Sequence, residues 1–146
     1  MKKINYLFSI ILSIVFLACQ PGDTVSQEQN VQVEQGKETI AVSLNNSDWI
    51  AKMEQSPGVI LDVRTEDEFN QGYIEGGQLI DVTTSDFIAK LEGLSLDKNQ
   101  AIYLYCRSGN RSKKAMTILK DQGFVEIYEL DRGVLGWERE GKKLVK

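Results

Sequence analysis

Residues 39–146 alternate between short apolar runs that are typical of strands and apolar stripes that have helical spacing. The strand-like runs are five in number: 39–44, 59–61, 78–82, 101–105 and 125–130. Strands that alternate with helices need crossover connections, and these connections place the strands parallel. The pattern therefore predicts one α/β domain with a mainly parallel sheet of about five strands and helices on both faces.

The segments between these runs predict helices. Thr65–Glu68 reads as a capping box, because the Thr65 hydroxyl can accept from the Glu68 amide while the Glu68 carboxylate reaches back. Ser112–Gln122 is predicted to be a helix that is closed by Gly123. Three further helices are expected around Trp49, at the apolar stripe of Phe87, Ile88 and Leu91, and over Val134–Glu140.

The N-terminus has the features of an export signal. Met1–Lys3 is basic, and Ile4–Leu17 is an apolar run with the proportions of a signal peptide rather than of a membrane span. The ending Phe16–Cys19 resembles a bacterial lipoprotein cleavage site, after which Cys19 becomes the first mature residue and is acylated. The expected organisation is a signal peptide (1–18), a lipid-anchored flexible tether (19–38) and the domain (39–146), with localisation at a bacterial membrane facing the periplasm. An uncleaved anchor helix and a cleaved secreted form are the alternatives.

Two features of the composition restrict the chemistry. The chain has no histidine and only two cysteines, so it excludes Cys-His and Ser-His hydrolase arrangements, His-ligated metal sites and a structural zinc site. The net charge of −4 does not favour nucleic acid as a partner. Once Cys19 is acylated, any thiol chemistry depends on Cys106 alone, without an imidazole base.

Cys106 lies in a loop between the most apolar strand and a predicted helix. In open α/β sheets, ligands bind beyond the carboxyl ends of the strands, where loop amides and a helix N-terminus together attract anions. Residues 107–114 hold four basic residues and no acid, inside an acidic protein, which indicates an anion-binding mouth. The loop therefore predicts Cys106 as a thiolate nucleophile. A buried structural cysteine and a merely solvated helix start are the alternatives.

At this point the sequence resembles a family. Cys106–Ser112 is similar to the active-site loop Cys-Arg-Ser-Gly-x-Arg-Ser of rhodanese-like sulfurtransferases. Leu61–Arg64 resembles the family's Asp-Val-Arg strand end, Glu66–Ile74 its acidic-aromatic stretch, and Gly133–Trp137 its Gly-Gly-x-x-x-Trp element. The resemblance spans nearly all of residues 39–146. It departs from the family pattern at three positions: Tyr73 stands where histidine is usual, Gly77 where alanine is usual, and Arg132 where the first glycine of the pair is usual.

The resemblance implies the rhodanese fold and sulfur transfer through a persulfide on Cys106, without a metal or other cofactor. The donor would be thiosulfate or another small anionic sulfane compound, and the acceptor would be cyanide, a thiol or a protein. Asp62 and Arg64 are expected to hold the loops together. The implied donor-binding residues are those of the loop: Arg107, Ser108, Gly109, Asn110, Arg111 and Ser112.

Two other functions fit the same residues. A Cys-dependent phosphatase or arsenate reductase also uses Cys and Arg in an anion nest, but the related phosphatase loop has five residues between Cys and Arg. Cys106 and Arg111 have four residues between them, and a shorter loop makes a tighter nest. A persulfide carrier or protein-binding module would keep the fold without turnover.

Overall fold

The computed structural model describes residues 38–146. The predicted signal peptide, the predicted acylation site Cys19 and nearly all of the predicted tether lie outside these residues. Within them the elements follow in strict alternation: β1 (Ile40–Leu44), α1 (Asn46–Gln55), β2 (Gly58–Asp62), α2 (Glu66–Asn70), β3 (Gly77–Leu79), α3 (Phe87–Gly93), β4 (Ala101–Tyr105), α4 (Asn110–Asp121), β5 (Glu126–Leu130) and α5 (Gly133–Arg139).

The five strands form one parallel sheet in the order β1-β5-β4-β2-β3. The prediction of an α/β fold with about five parallel strands is therefore confirmed. β4 lies at the centre, and all five of its residues are buried because both faces of the sheet are covered at this strand. Its C-terminal end, where Cys106 follows, thus lies in the middle of the sheet edge.

Each face of the sheet carries its own apolar core. On one face, Phe87 and Leu91 of α3 and Ala115 of α4 pack with Ile102 and Leu104. On the other face, Trp49 of α1 and Val134 of α5 pack with aliphatic and tyrosine side chains that include Tyr103 and Tyr105 of β4. Helices therefore cover both faces, as the alternating pattern predicts.

Three local predictions need correction. β3 covers Gly77–Leu79 rather than 78–82, because the carboxylate of Asp81 accepts the Thr83 amide and turns the chain away from the sheet. Ile88 is 44% exposed rather than inward, because α3 has seven residues and buries only Phe87 and Leu91. The helix predicted from Ser112 begins two residues earlier, at Asn110.

The three departures from the family pattern have structural counterparts. Tyr73 stacks on Phe69 with ring centroids 4.2 Å apart and forms a β-bridge with Val145. At Gly77 a Cβ atom would lie 2.7 Å from the Tyr105 hydroxyl oxygen, so the alanine usual in the family does not fit here without movement. Arg132 has a φ of 66°, a left-handed conformation that a side chain disfavours.

No helix within residues 38–146 has the length and apolar character needed to cross a membrane.

Candidate active site

Cys106 lies at the carboxyl end of β4, at the base of the loop that leads into α4. The residue is only 1% exposed. Its Sγ accepts hydrogen bonds from the Gly109 amide at 3.2 Å and from the Ser112 hydroxyl at 3.4 Å. The structure thus places the sulfur in a nest of donors, which is the arrangement that stabilises a thiolate.

The surroundings of Cys106 act in two directions on its pKa. Burial raises the pKa of this thiol, whereas hydrogen bonds from the Ser112 side chain and from the amides of Ser112, Ser108 and Gly109 lower it. The lowering contributions outweigh burial, and the pKa lies below the ordinary value of 9.0. The thiolate is therefore favoured by hydrogen bonds, without help from an imidazole.

The N-terminus of α5 holds this loop from the other side. The amide of Val134 donates to the Cys106 carbonyl at 2.9 Å, and the amide of Leu135 donates to the Arg107 carbonyl at 3.0 Å. This close approach requires glycine at position 133, where a Cβ atom would lie 2.1 Å from the Cys106 carbonyl oxygen. The Gly133–Trp137 element thus positions the loop through the backbone rather than through side chains.

Arg111 lies in the first turn of α4 and forms a two-pronged ion pair with Glu68 of α2. Its guanidinium nitrogens lie 2.6 and 2.7 Å from the two carboxylate oxygens. The Arg111 hydrogen bond lowers the pKa of Glu68 to about 2, although partial burial opposes this shift. The predicted capping box at Thr65 is also present, so Glu68 serves both the start of α2 and the loop.

Arg107 is exposed at the mouth of the site. It borders a cavity of about 290 Å³ beside the loop. The rest of the cavity wall combines apolar, charged and uncharged polar side chains with one glycine: Arg64, Glu68, Gln71, Gly72, Val134, Leu135, Glu138 and Leu144. A ligand with both apolar and charged parts could occupy this space next to the nucleophile loop.

The other predicted donor-binding residues differ in their exposure. Ser108 and Asn110 are exposed, whereas Gly109 and Ser112 are buried. Gly109 has a φ of 95° and forms the N-cap of α4, which aims its amide at the sulfur. The structure therefore brings the backbone of the loop and the Ser112 hydroxyl to Cys106, while the Ser108 and Asn110 side chains face solvent.

Asp62 and Arg64 form a buried pair at the end of β2. The Arg64 Nε lies 2.9 Å from both carboxylate oxygens of Asp62. The Arg64 Nη2 lies 2.6 Å from Asp62 Oδ2 and 2.8 Å from the Gly72 carbonyl oxygen. Burial lowers the pKa of Arg64, but the hydrogen bonds and the charge of Asp62 raise it overall. The pair joins the β2 end to the segment that follows α2.

Sequence reasoning missed two acidic residues at the site. Glu68 was assigned only to the capping box, and Glu129 of β5 was not considered. Glu129 is fully buried, and its Oε1 lies 2.6 Å from the Ser112 Oγ that also reaches Cys106. A signal for Glu129 exists in the sequence, because this acid lies between Tyr128 and Leu130 inside a strand whose apolar residues predict burial on both faces.

Within residues 38–146 no cluster of three or more Cys, Asp or Glu side chains is arranged to hold a metal ion.

Comparisons with known proteins agree with this arrangement. Residues 46–140 match the model of the rhodanese-like domain. The rhodanese-like domain protein of Staphylococcus aureus is 30% identical, with a TM-score of 0.58, over 71% of this chain and 98% of that one. The thiosulfate sulfurtransferase of Pseudomonas aeruginosa is 25% identical, with a TM-score of 0.60, over 70% of this chain and 20% of that one.

A curated relative from Chlamydia abortus is named tRNA uridine(34) hydroxylase. It is 32% identical over 122 residues, which are 73% of this chain and 37% of the relative. This chain therefore spans little more than a third of the length of that relative. Because the family model covers β2 to β5, the Cys106 loop and α5 together, the chain belongs to the rhodanese-like domain family.

Proposed function

We propose that residues 39–146 form a sulfurtransferase that moves a sulfane sulfur through a persulfide on Cys106. The observation that carries the proposal is the environment of Cys106 Sγ, which accepts from the Gly109 amide and the Ser112 hydroxyl and has a lowered pKa. A thiolate formed in this way can attack without a general base, and the chain has no histidine to act as one.

The proposed reaction has two steps. The Cys106 thiolate attacks the outer sulfur of thiosulfate or a related donor, a new S–S bond forms, and the bond to the sulfonyl sulfur breaks as sulfite leaves with its electron pair. The persulfide anion that remains is stabilised by the loop donors. A thiolate or cyanide acceptor then attacks the outer sulfur, takes it, and leaves the Cys106 thiolate for the next cycle.

Mass spectrometry tests this proposal directly. Incubation with thiosulfate should add the mass of one sulfur atom to the peptide that contains Cys106 and release one equivalent of sulfite. Cys106→Ser should abolish both events and keep the native circular dichroism spectrum, whereas Thr117→Ala, an exposed residue of α4 outside the loop, should retain them. Absence of sulfur uptake by the folded wild-type protein would refute the proposal.

Turnover distinguishes an enzyme from a persulfide carrier. An enzyme given cyanide or a small thiol releases sulfite repeatedly, whereas a carrier loads once and then waits for a protein acceptor. The cavity beside Arg107 supports the enzyme, because it offers about 290 Å³ next to the loop for a small acceptor. A single burst of sulfite with every small acceptor would favour the carrier.

The name of the Chlamydia abortus relative supports a second candidate, hydroxylation of a tRNA uridine. The 32% identity favours it, whereas the net charge of −4 and the match to only 37% of the relative weigh against it. Incubation with tRNA, followed by mass analysis of its nucleosides, would reveal an added oxygen on uridine. The same assay with Cys106→Ser would show whether any modification depends on the loop.

We also propose that the domain is exported and anchored to a bacterial membrane by a lipid on Cys19. The support is the order of a basic start, an apolar run and a small residue before Cys19.

A further inference from the structure

The Ser112 hydroxyl is surrounded by three acceptors although it has a single proton to donate. Its Oγ lies 2.6 Å from Glu129 Oε1, 3.0 Å from the Gly109 carbonyl oxygen and 3.4 Å from Cys106 Sγ. The shortest of these contacts has the length of a charge-assisted O–H···O⁻ bond. Cys106 Sγ, Glu129 Oε1 and the Gly109 carbonyl oxygen therefore compete for this one hydroxyl proton.

The Glu129 carboxylate depends on the hydrogen bond from the Ser112 hydroxyl. It is fully buried on β5, and its second oxygen, Oε2, has no hydrogen-bond partner among the described residues. A buried carboxylate is costly unless hydrogen bonds compensate for the lost water. The Ser112 hydroxyl is thus the polar contact on which this carboxylate depends, and Ser112 can serve Glu129 fully only by turning away from Cys106.

We propose that Glu129 is a positioning residue for Cys106, which acts by competing with the sulfur for the Ser112 hydroxyl proton. The inference rests on the proposed role of Cys106 as the nucleophile. The two effects on the thiolate oppose each other. The loop amides stabilise it, whereas Glu129 limits its stabilisation by accepting the Ser112 hydrogen bond. A thiolate that is overstabilised is a weaker nucleophile, because nucleophilicity falls with the basicity of the sulfur.

Other charged groups around the site must be taken into account. They come from the loop, from α2, from α4 and from the segment after β5: Arg107, Glu68, Arg111, Lys113 and Asp131. Arg111 is paired with Glu68, and Lys113 with Asp131 at 3.3 Å, so these pairs contribute little net charge, although Arg111 also interacts directly with the Cys106 side chain. All variants of the test retain Arg111, so its contribution is the same in each. The residues that pair with Glu129 in the neighbouring strands, Ser43 and Leu104, are uncharged.

The test is the pH profile of Cys106 alkylation by iodoacetamide. The full chain is used, with Cys19→Ser in every sample so that Cys106 is the only thiol. Glu129→Gln keeps the shape of the side chain and removes the charge. It should move the midpoint of the profile down by about one pH unit, since the Ser112 hydroxyl is then free to donate to the sulfur. The limiting rate constant should fall about threefold, as expected for a less basic thiolate.

Two matched variants show whether the effect passes through Ser112. In a Ser112→Ala background, Glu129→Gln should shift the midpoint much less, because only the through-space effect of the removed charge remains. Glu126→Gln removes a charge from the same strand but on the opposite face of the sheet, and it should leave the midpoint in place. Glu129→Met, which has similar volume and no polar atom to satisfy, should lower the midpoint as Glu129→Gln does and provides a second folded variant.

The proposal is overturned if Glu129→Gln or Glu129→Met leaves the midpoint unchanged or raises it, or if the shift keeps its full size without Ser112. Alkylation measures the thiol itself and needs no sulfur donor. A failed thiosulfate assay with the expected alkylation shifts would therefore reject the sulfurtransferase and keep the role of Glu129, whereas the converse result would reject only Glu129.

Discussion

Glu68→Gln tests how strongly the ion pair between α2 and α4 stabilises the domain. The substitution keeps the shape of the side chain and an oxygen that can accept from Thr65, but it removes the charge and one of the two oxygens that Arg111 contacts. The pair is about a quarter exposed, with side-chain exposures of 27% for Arg111 and 23% for Glu68. Its contribution should therefore exceed that of a fully exposed pair.

The magnitude follows from the pKa of Glu68, which Arg111, together with hydrogen bonds from Thr65, lowers from 4.5 to about 2. Each pKa unit corresponds to about 1.4 kcal/mol, which sets a ceiling of about 3 kcal/mol. Solvent screening of a partly exposed pair reduces this ceiling to about 1–2 kcal/mol. Because the pKa of Glu68 is lower in the folded state, the contribution is fully present above pH 4.5 and is lost as the pH falls towards 2.

Urea denaturation of both proteins measures this difference. At neutral pH, Glu68→Gln should lower the free energy of unfolding by about 1–2 kcal/mol. The difference should shrink as the pH falls from 4.5 towards 2, where the wild-type carboxylate becomes protonated. Asp86→Asn, in an exposed pair with Lys90, should show no measurable change and serves as the control. An equal loss of stability at neutral and acidic pH would refute the electrostatic reasoning.

Further substitutions test the loop, its support and the anchor. Arg107→Ala should weaken the use of thiosulfate at low salt, and this defect should shrink as the salt concentration rises. The defect of Arg111→Ala should persist at high salt, because Arg111 also supports the loop. Steady-state kinetics at two ionic strengths will distinguish the two variants. Gly133→Ala should lower the free energy of unfolding by at least about 2 kcal/mol, whereas Gly93→Ala, where nothing lies within 4 Å, should raise it by up to about 1 kcal/mol in the same urea titration. Cys19→Ala should leave an unprocessed precursor that incorporates no labelled fatty acid, and normal processing of this variant would contradict the anchor.

Much of the fold could be predicted because each element carries a local signal. Ala101–Tyr105 is apolar throughout, and a strand buried on both faces needs such a sequence. The capping box at Thr65 and Glu68 is a contact between residues three apart, so it can be recognised from spacing alone. The loop after β4 could be located because parallel strands place their carboxyl ends at one edge of the sheet.

The contacts that tune the site could not be predicted in the same way. Arg111 and Glu68 are 43 residues apart, and Ser112 and Glu129 are 17 apart, so neither pair has a spacing that indicates contact. Which acidic residue contacts Arg111 or Ser112 depends on how α2 and β5 are packed beside α4. The start of α4 was predicted two residues too late. Its N-cap is Gly109, which has no side chain that a sequence pattern could recognise as a cap.

The charge at the mouth of the site is therefore distributed differently from what the sequence of the loop implies. Residues 107–114 contain four basic side chains, but Arg111 contacts Glu68 and Lys113 contacts Asp131, so half of this charge is already compensated within the fold. Arg107 is exposed, borders the cavity and, within residues 38–146, has no ion-pair partner. Attraction of an anionic donor should thus depend mainly on Arg107, whose effect salt can screen. Arg111 joins α2 to the start of α4 through Glu68, and we expect this contact to support the loop conformation in which the Gly109 amide points at Cys106.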